Sequence, residues 1–276
     1  MCDTGCVTPS PALRAARSRH LLSALVFALA AGCGRTAAPE PSARERAPDI
    51  LSTETAAAES ATLTYLDIPL GGASATDKLP LVIAIHGLGD SPQNFSRWLL
   101  ALPARVRLII PQAPTTHGRG FSWFPYRPDR SEHELARGMA VARDQLVALL
   151  DQLEAKHPGL RAPAVLGFSQ GGMLSFALAA RYPERFSLVV PISGMLPRQL
   201  DPPSKIPRQL PVVHAFHGEA DRVVPIAPGA DAVSRLAGHG YPATLQRYPE
   251  VGHQIAPSVR DAVFAEVSRW AAPAPD

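Results

Sequence analysis

The sequence predicts an α/β fold: a mainly parallel central sheet with helices packed on both faces. Three observations lead there. Short runs that are apolar throughout recur from about residue 61 onward, as expected of strands buried on both sides. Longer amphipathic segments separate them, which implies right-handed crossovers between parallel strands. Glycine-rich or polar sequence follows several of the apolar runs directly, where an open parallel sheet carries its functional loops.

The elements follow in order. Residues 62–70 alternate and read as a first strand; 79–85 and 106–110 are continuous apolar runs and read as buried strands. Leu135, Met139, Ala142, Leu146, Leu149 and Leu153 then fall at alternating four- and three-residue steps, one apolar stripe of a long helix. Ser131 with Glu134 three residues on makes a capping box at its start, and Pro158-Gly159 stops it. Strands are expected at 164–168, 188–192, 212–216 and 244–248, with helices at 170–181, 227–237 and 258–271. No internal repeat and no second linker interrupts this region, so residues 61–276 read as one domain.

The segment before it has a different character. Arg14, Arg17 and Arg19 precede an uncharged apolar run from Leu21 to Ala31, followed by small residues. That is the order of a secretory signal over residues 1–32. The run rises only about 16 Å as a helix, short of the ~30 Å hydrocarbon core, so no transmembrane anchor is expected from it. Ala30-Ala31-Gly32-Cys33 resembles the bacterial lipobox, in which the cysteine is acylated, with Ala30 in place of the usual leucine. Residues 33–60 are rich in Ala, Pro, Ser, Glu and Arg, a composition expected of a disordered tether. Lipidation of Cys33 would attach the protein to a membrane of the bacterial cell envelope. Gly34, standing where an aspartate would signal inner-membrane retention, favours the outer membrane.

Composition narrows the function classes. The 276 residues are 46% hydrophobic and 18% charged, enough apolar material for a core. The net charge is +3, and residues 1–32 supply three basic residues against one acidic, so no nucleic-acid footprint remains. All three cysteines, Cys2, Cys6 and Cys33, precede the predicted domain, which excludes a disulfide framework or thiolate metal site within it. No histidine pair has metal-ligand spacing beside a carboxylate; neither a metal nor a cofactor is expected.

The chemistry lies between the elements. Gly167-Phe168-Ser169-Gln170-Gly171 is a G-x-S-x-G placed between a buried strand and an apolar helix. Glycines two before and two after the serine permit a sharp strand-to-helix turn that exposes Oγ at the helix N-terminus. A serine hydroxyl needs a base to take its proton and a carboxylate to orient that base. Downstream, 212–216 leads into His217-Gly218-Glu219-Ala220-Asp221, and 244–248 leads into Gly252-His253. Asp221 and His253 are the candidates, on the same sheet edge as Ser169, with Glu219 as the competing acid. His214 is expected within a strand; His86 and His217, each before a glycine, are expected to hydrogen-bond loop backbone. A tetrahedral intermediate also needs two oxyanion donors. The backbone N–H of Gln170 is one candidate, and that of Leu88, in the glycine-rich His86-Gly87-Leu88-Gly89-Asp90 loop, is the other.

The stretches HGLGD at 86–90, GFSQGG at 167–172, HGEADRVVP at 217–225 and GHQI at 252–255 together resemble the phospholipase/carboxylesterase family of α/β-hydrolases, in family order. That resemblance implies cofactor-free hydrolysis of small-molecule or lipid carboxylic esters or thioesters. It implies Ser169, Asp221 and His253 as triad, and Leu88 and Gln170 as oxyanion donors. Ser122-Trp123-Phe124 is similar to the family's aromatic segment, so Trp123 and Phe124 are expected in the acyl pocket; Pro125 stands where many members have an aspartate. The rival readings are a polymer-directed esterase of the feruloyl, acetyl-xylan or polyhydroxyalkanoate type, a peptidase, and a binding lipoprotein on an inactive fold.

Overall fold

A computed structural model describes residues 62–127, 131–205 and 207–273, all within one unit spanning 56–276. The expected signal, Cys33 and the expected tether lie outside the described residues. Seven strands form the main sheet: β1 (Tyr65–Pro69), β2 (Leu81–Ile85), β3 (Arg107–Pro111), β6 (Ala164–Phe168), β7 (Leu188–Ile192), β8 (Val212–Gly218) and β9 (Ala243–Tyr248). Their spatial order is β1-β3-β2-β6-β7-β8-β9; β1 runs antiparallel to β3 and every other pair is parallel. After β2 the chain first adds β3 on one side and later adds β6 on the other. The order therefore reverses between β2 and β6, and the crevice at their carboxyl ends is where such a sheet places its ligand.

The continuous apolar runs follow from burial on both faces. Val82, Ala84, Leu108, Leu166 and Val190 point to one side, and Ile83, Ile85, Ile109, Val165 and Val189 to the other. The first side is covered by α1 (Pro92–Leu99) and α5 (Pro257–Ala271), joined by a stack of Trp98 on Phe264. The second is covered by α2 (Glu132–Lys156), α3 (Gln170–Arg181) and α4 (Ile226–Gly238). All six residues of the predicted α2 stripe are buried. Its capping box is formed: the Ser131 hydroxyl accepts from the Glu134 N–H, and the Glu134 carboxylate accepts from the Ser131 N–H.

The structure departs from expectation in several places: the first strand spans only Tyr65–Pro69, and the helix α1 is not among the expected elements. The strand expected from residue 79 begins at Leu81, because Pro80 has no N–H to give a ladder. The region 115–128 holds a small hairpin, β4 (Thr115–His117) and β5 (Gly120–Ser122). Its edge lies on the loop after β2, where Gly89 N–H donates to Phe121 O and Phe121 N–H donates to Asp90 O.

Candidate active site

Ser169 joins β6 to α3 in a left-handed backbone conformation, with φ 57°. A non-glycine residue is held there only by its surroundings. The surroundings here are backbone packed on backbone. A Cβ on Gly167 would lie 2.3 Å from Gly171, and one on Gly171 would lie 1.9 Å from the Ile85 carbonyl oxygen. The Ser169 N–H donates to Ile192 O of β7 at 3.0 Å, which fixes the turn from the other side.

His253, five residues past β9, places Nε2 3.0 Å from Ser169 Oγ. Its Nδ1 lies 2.7 Å from Asp221 Oδ2. A carboxylate accepts, so Nδ1 carries the proton and Nε2 is left to accept from the serine hydroxyl. The other Asp221 oxygen accepts the N–H groups of Val223 and Val224, each at 2.9 Å. Burial pushes this carboxyl up, but the hydrogen bonds from His253, Val224 and Val223 outweigh it and hold the group below its usual range. Glu219, the competing acid, is exposed and lies 3.8 Å from Arg247 instead.

Two further histidines brace the loops. His86, fully buried, has Nδ1 2.8 Å from Gly87 O, and its Nε2 accepts the Ala113 N–H. Both bonds need a neutral ring protonated on Nδ1. Burial lowers its pKa, which the Gly87 carbonyl and Asp90 offset only in part. His217 donates from Nε2 to Val224 O, and burial likewise lowers its pKa. His214 is on β8, paired with Glu266. The N–H groups of Leu88 and Gln170 have no protein acceptor among the described residues.

Beside Ser169 lies a cavity of about 170 Å³ with an apolar wall of Leu88, Tyr126, Met173, Val223 and Val224. Trp123 and Phe124, expected there, do not line it. Both are buried in the core, and the Gln170 side chain fixes them from behind. Its Oε1 accepts the Trp123 N–H at 3.0 Å and its Nε2 donates to Phe124 O at 2.8 Å. Trp123 Nε1 in turn donates to His86 O. Tyr126, two residues on, is the aromatic at the cavity. Sequence reasoning missed Tyr126, Met173 and the side-chain role of Gln170. Met173 had a visible cue, since it stands one helical turn after Ser169.

Comparison with known proteins identifies the family. The Phospholipase/Carboxylesterase family profile matches residues 73–267. Acyl-protein thioesterase 1 of Gibberella zeae is 27% identical over 220 residues, covering 71% of this chain and 93% of that protein. A "probable carboxylesterase" of Oryza sativa subsp. japonica is 30% identical over 210 residues, covering 68% and 76%. The crystal structure of esterase PE8 superposes with a TM-score of 0.67 at 26% identity, covering 76% of this chain and all of that one. The family match takes in the β2 loop, the turn after β6 and the loops after β8 and β9, so this chain belongs to the phospholipase/carboxylesterase family of α/β-hydrolases and is a serine hydrolase of the esterase class.

Proposed function

We propose that the protein hydrolyses carboxylic esters, and thioesters by the same route, through an acyl-enzyme formed on Ser169. The observation that carries this reading is the unbroken hydrogen-bonded chain from Ser169 Oγ through His253 to Asp221. His253 Nε2 takes the hydroxyl proton as Oγ attacks the acyl carbon. The carbonyl oxygen becomes an oxyanion, held by the N–H groups of Leu88 and Gln170. The intermediate collapses, the bond to the alcohol or thiol breaks, and His253 returns the proton to that leaving group. Water, deprotonated by the same imidazole, then attacks the acyl-serine and frees the acid. Asp221 holds the ring in the required tautomer and stabilises its charged form.

Hydrolysis of p-nitrophenyl esters by the purified full chain, with Ser169→Ala beside it, tests the assignment. Turnover that disappears in the variant is expected. Turnover that survives it would remove Ser169 from the mechanism.

The lipobox-like sequence supports a second part of the reading: Cys33 is acylated and attaches the enzyme to the bacterial envelope, the outer membrane above the inner. Fatty-acid labelling of the chain in a bacterial host, lost in Cys33→Ser along with sedimentation in the membrane fraction, is the expected result. An unlabelled chain would overturn it.

A further inference from the structure

Met173 is one of the apolar side chains lining the cavity beside Ser169. Met173 stands in the first turn of α3, where its N–H donates to Ser169 O at 2.9 Å. It is 1% exposed and belongs both to the cavity wall and to the core cluster containing Trp123, Phe124 and Phe176. It is therefore the partition between cavity and core. In the same core cluster the Gln170 side chain holds the backbone of Trp123 and Phe124 in place.

The cavity is small. At roughly 30 Å³ per water-sized group, about 170 Å³ takes five or six such groups, well under the ~300–1,000 Å³ of sites for drug-sized ligands. A longer chain would have to extend beyond these lining residues, of which Val223 is itself 59% exposed.

Resting on the esterase reading above, we infer that the substrates carry a short acyl group, roughly two to six carbons, and that Met173 is the specificity-determining residue that closes the acyl site. The thioether chain is unbranched and adaptable, so shortening it opens space toward the core without moving the serine.

The test is a p-nitrophenyl ester series from acetyl to decanoyl, run on the full chain, Met173→Ala, the milder Met173→Val, and Ser169→Ala. Labelling by a small fluorophosphonate counts the competent sites in each preparation, so loss of folded protein is separated from a change in preference. The wild type is expected to peak within the short range. Met173→Ala is expected to move the peak at least two carbons longer, with kcat/KM gaining up to about fourfold per methylene newly accommodated, and Met173→Val to move it less. Unchanged profiles in both variants at full labelling, or a wild-type peak at long chains, would overturn the inference while Ser169-dependent turnover left the esterase reading intact. No turnover on any ester by unlabelled wild type, from a preparation in which a parallel sample takes up the label, would overturn both.

Discussion

At Asp221 both carboxylate oxygens are occupied, one by His253 and the other by two backbone N–H groups, so the ring it holds has one orientation available. Asp221→Asn preserves the shape of that site but can present its amide to Nδ1 and stabilise the wrong tautomer. We expect kcat to fall by about 10⁴, with the chain still folded, as circular dichroism alongside the ester assay would show; a fall under tenfold would remove Asp221 from the relay. The buried histidines set a separate pH dependence. His86 and His217 have pKa values below the ordinary 6.5, so the unfolded chain binds more protons than the folded one as pH drops past that point. Their contribution is complete above 6.5 and declines below it, at most about 1.4 kcal/mol per pH unit for each ring. Asp221, also lowered, adds its own loss only below the ordinary 3.8. Urea midpoints should therefore fall between pH 7 and pH 5. In His217→Gln, which keeps a donor for Val224, that slope should be shallower; an equal slope would exclude His217 as a source.

At the scale of elements, the central strands β2, β6 and β7 were readable because burial on both faces leaves no polar position to blur an apolar run. The strand of 164–168 and the helix of 170–181 match to the residue, since glycines and Ser169 punctuate them sharply. The unread elements depend on partners remote in sequence. The helix Pro92–Leu99 offered its Ser91 cap and first-turn proline, but it is too short for a convincing stripe. The Thr115–Ser122 hairpin has an exposed first strand, and its position is set by the β2 loop rather than by its own residues. Among the site residues, motifs located Ser169, Asp221, His253 and the Leu88 loop, because turn glycines mark those loops locally. The Gln170 amide was invisible as a clamp, since its partners lie 46 and 47 positions away. Gln170→Leu leaves the buried Trp123 N–H unpaired, while Phe124 O keeps the Ser122 hydroxyl as a donor, and should cost roughly 1–3 kcal/mol in urea unfolding; no measurable cost would mean that water replaces the amide. Glycines give a sharper contrast. Gly171→Ala drives a Cβ into the Ile85 carbonyl and should destabilise by about 3 kcal/mol or more. Gly238→Ala, at the open end of α4, should stabilise by roughly 0.5–1. Equal effects at the two positions would contradict the packing of the turn.

Across the whole molecule, the site draws on the ends of four strands that are not equally secure. β2 and β6 are central, and their residues are almost wholly buried between two layers of helix. β9 is an edge strand; its residues are half-buried or exposed, and the loop carrying His253 runs from it to α5. An edge strand with one neighbour and little buried area opens at lower free energy than a central one. The serine is thus mounted on the most stable part of the fold and its base on one of the least. Mild denaturant should then separate His253 from Ser169 before the core is lost. Ester hydrolysis is expected to decline at a lower urea concentration than the fluorescence of Trp123, which is buried in the core beside α3 and can be followed in a Trp98→Phe/Trp270→Phe background. If the two curves coincide, the β9 edge is held as firmly as the centre, and α5, which packs Val259, Val263, Phe264 and Val267 beneath the sheet, is what holds it. If activity goes first, the enzyme has a graded response, and substitutions that tighten the β8–β9 pairing will extend the active range without raising the stability of the core.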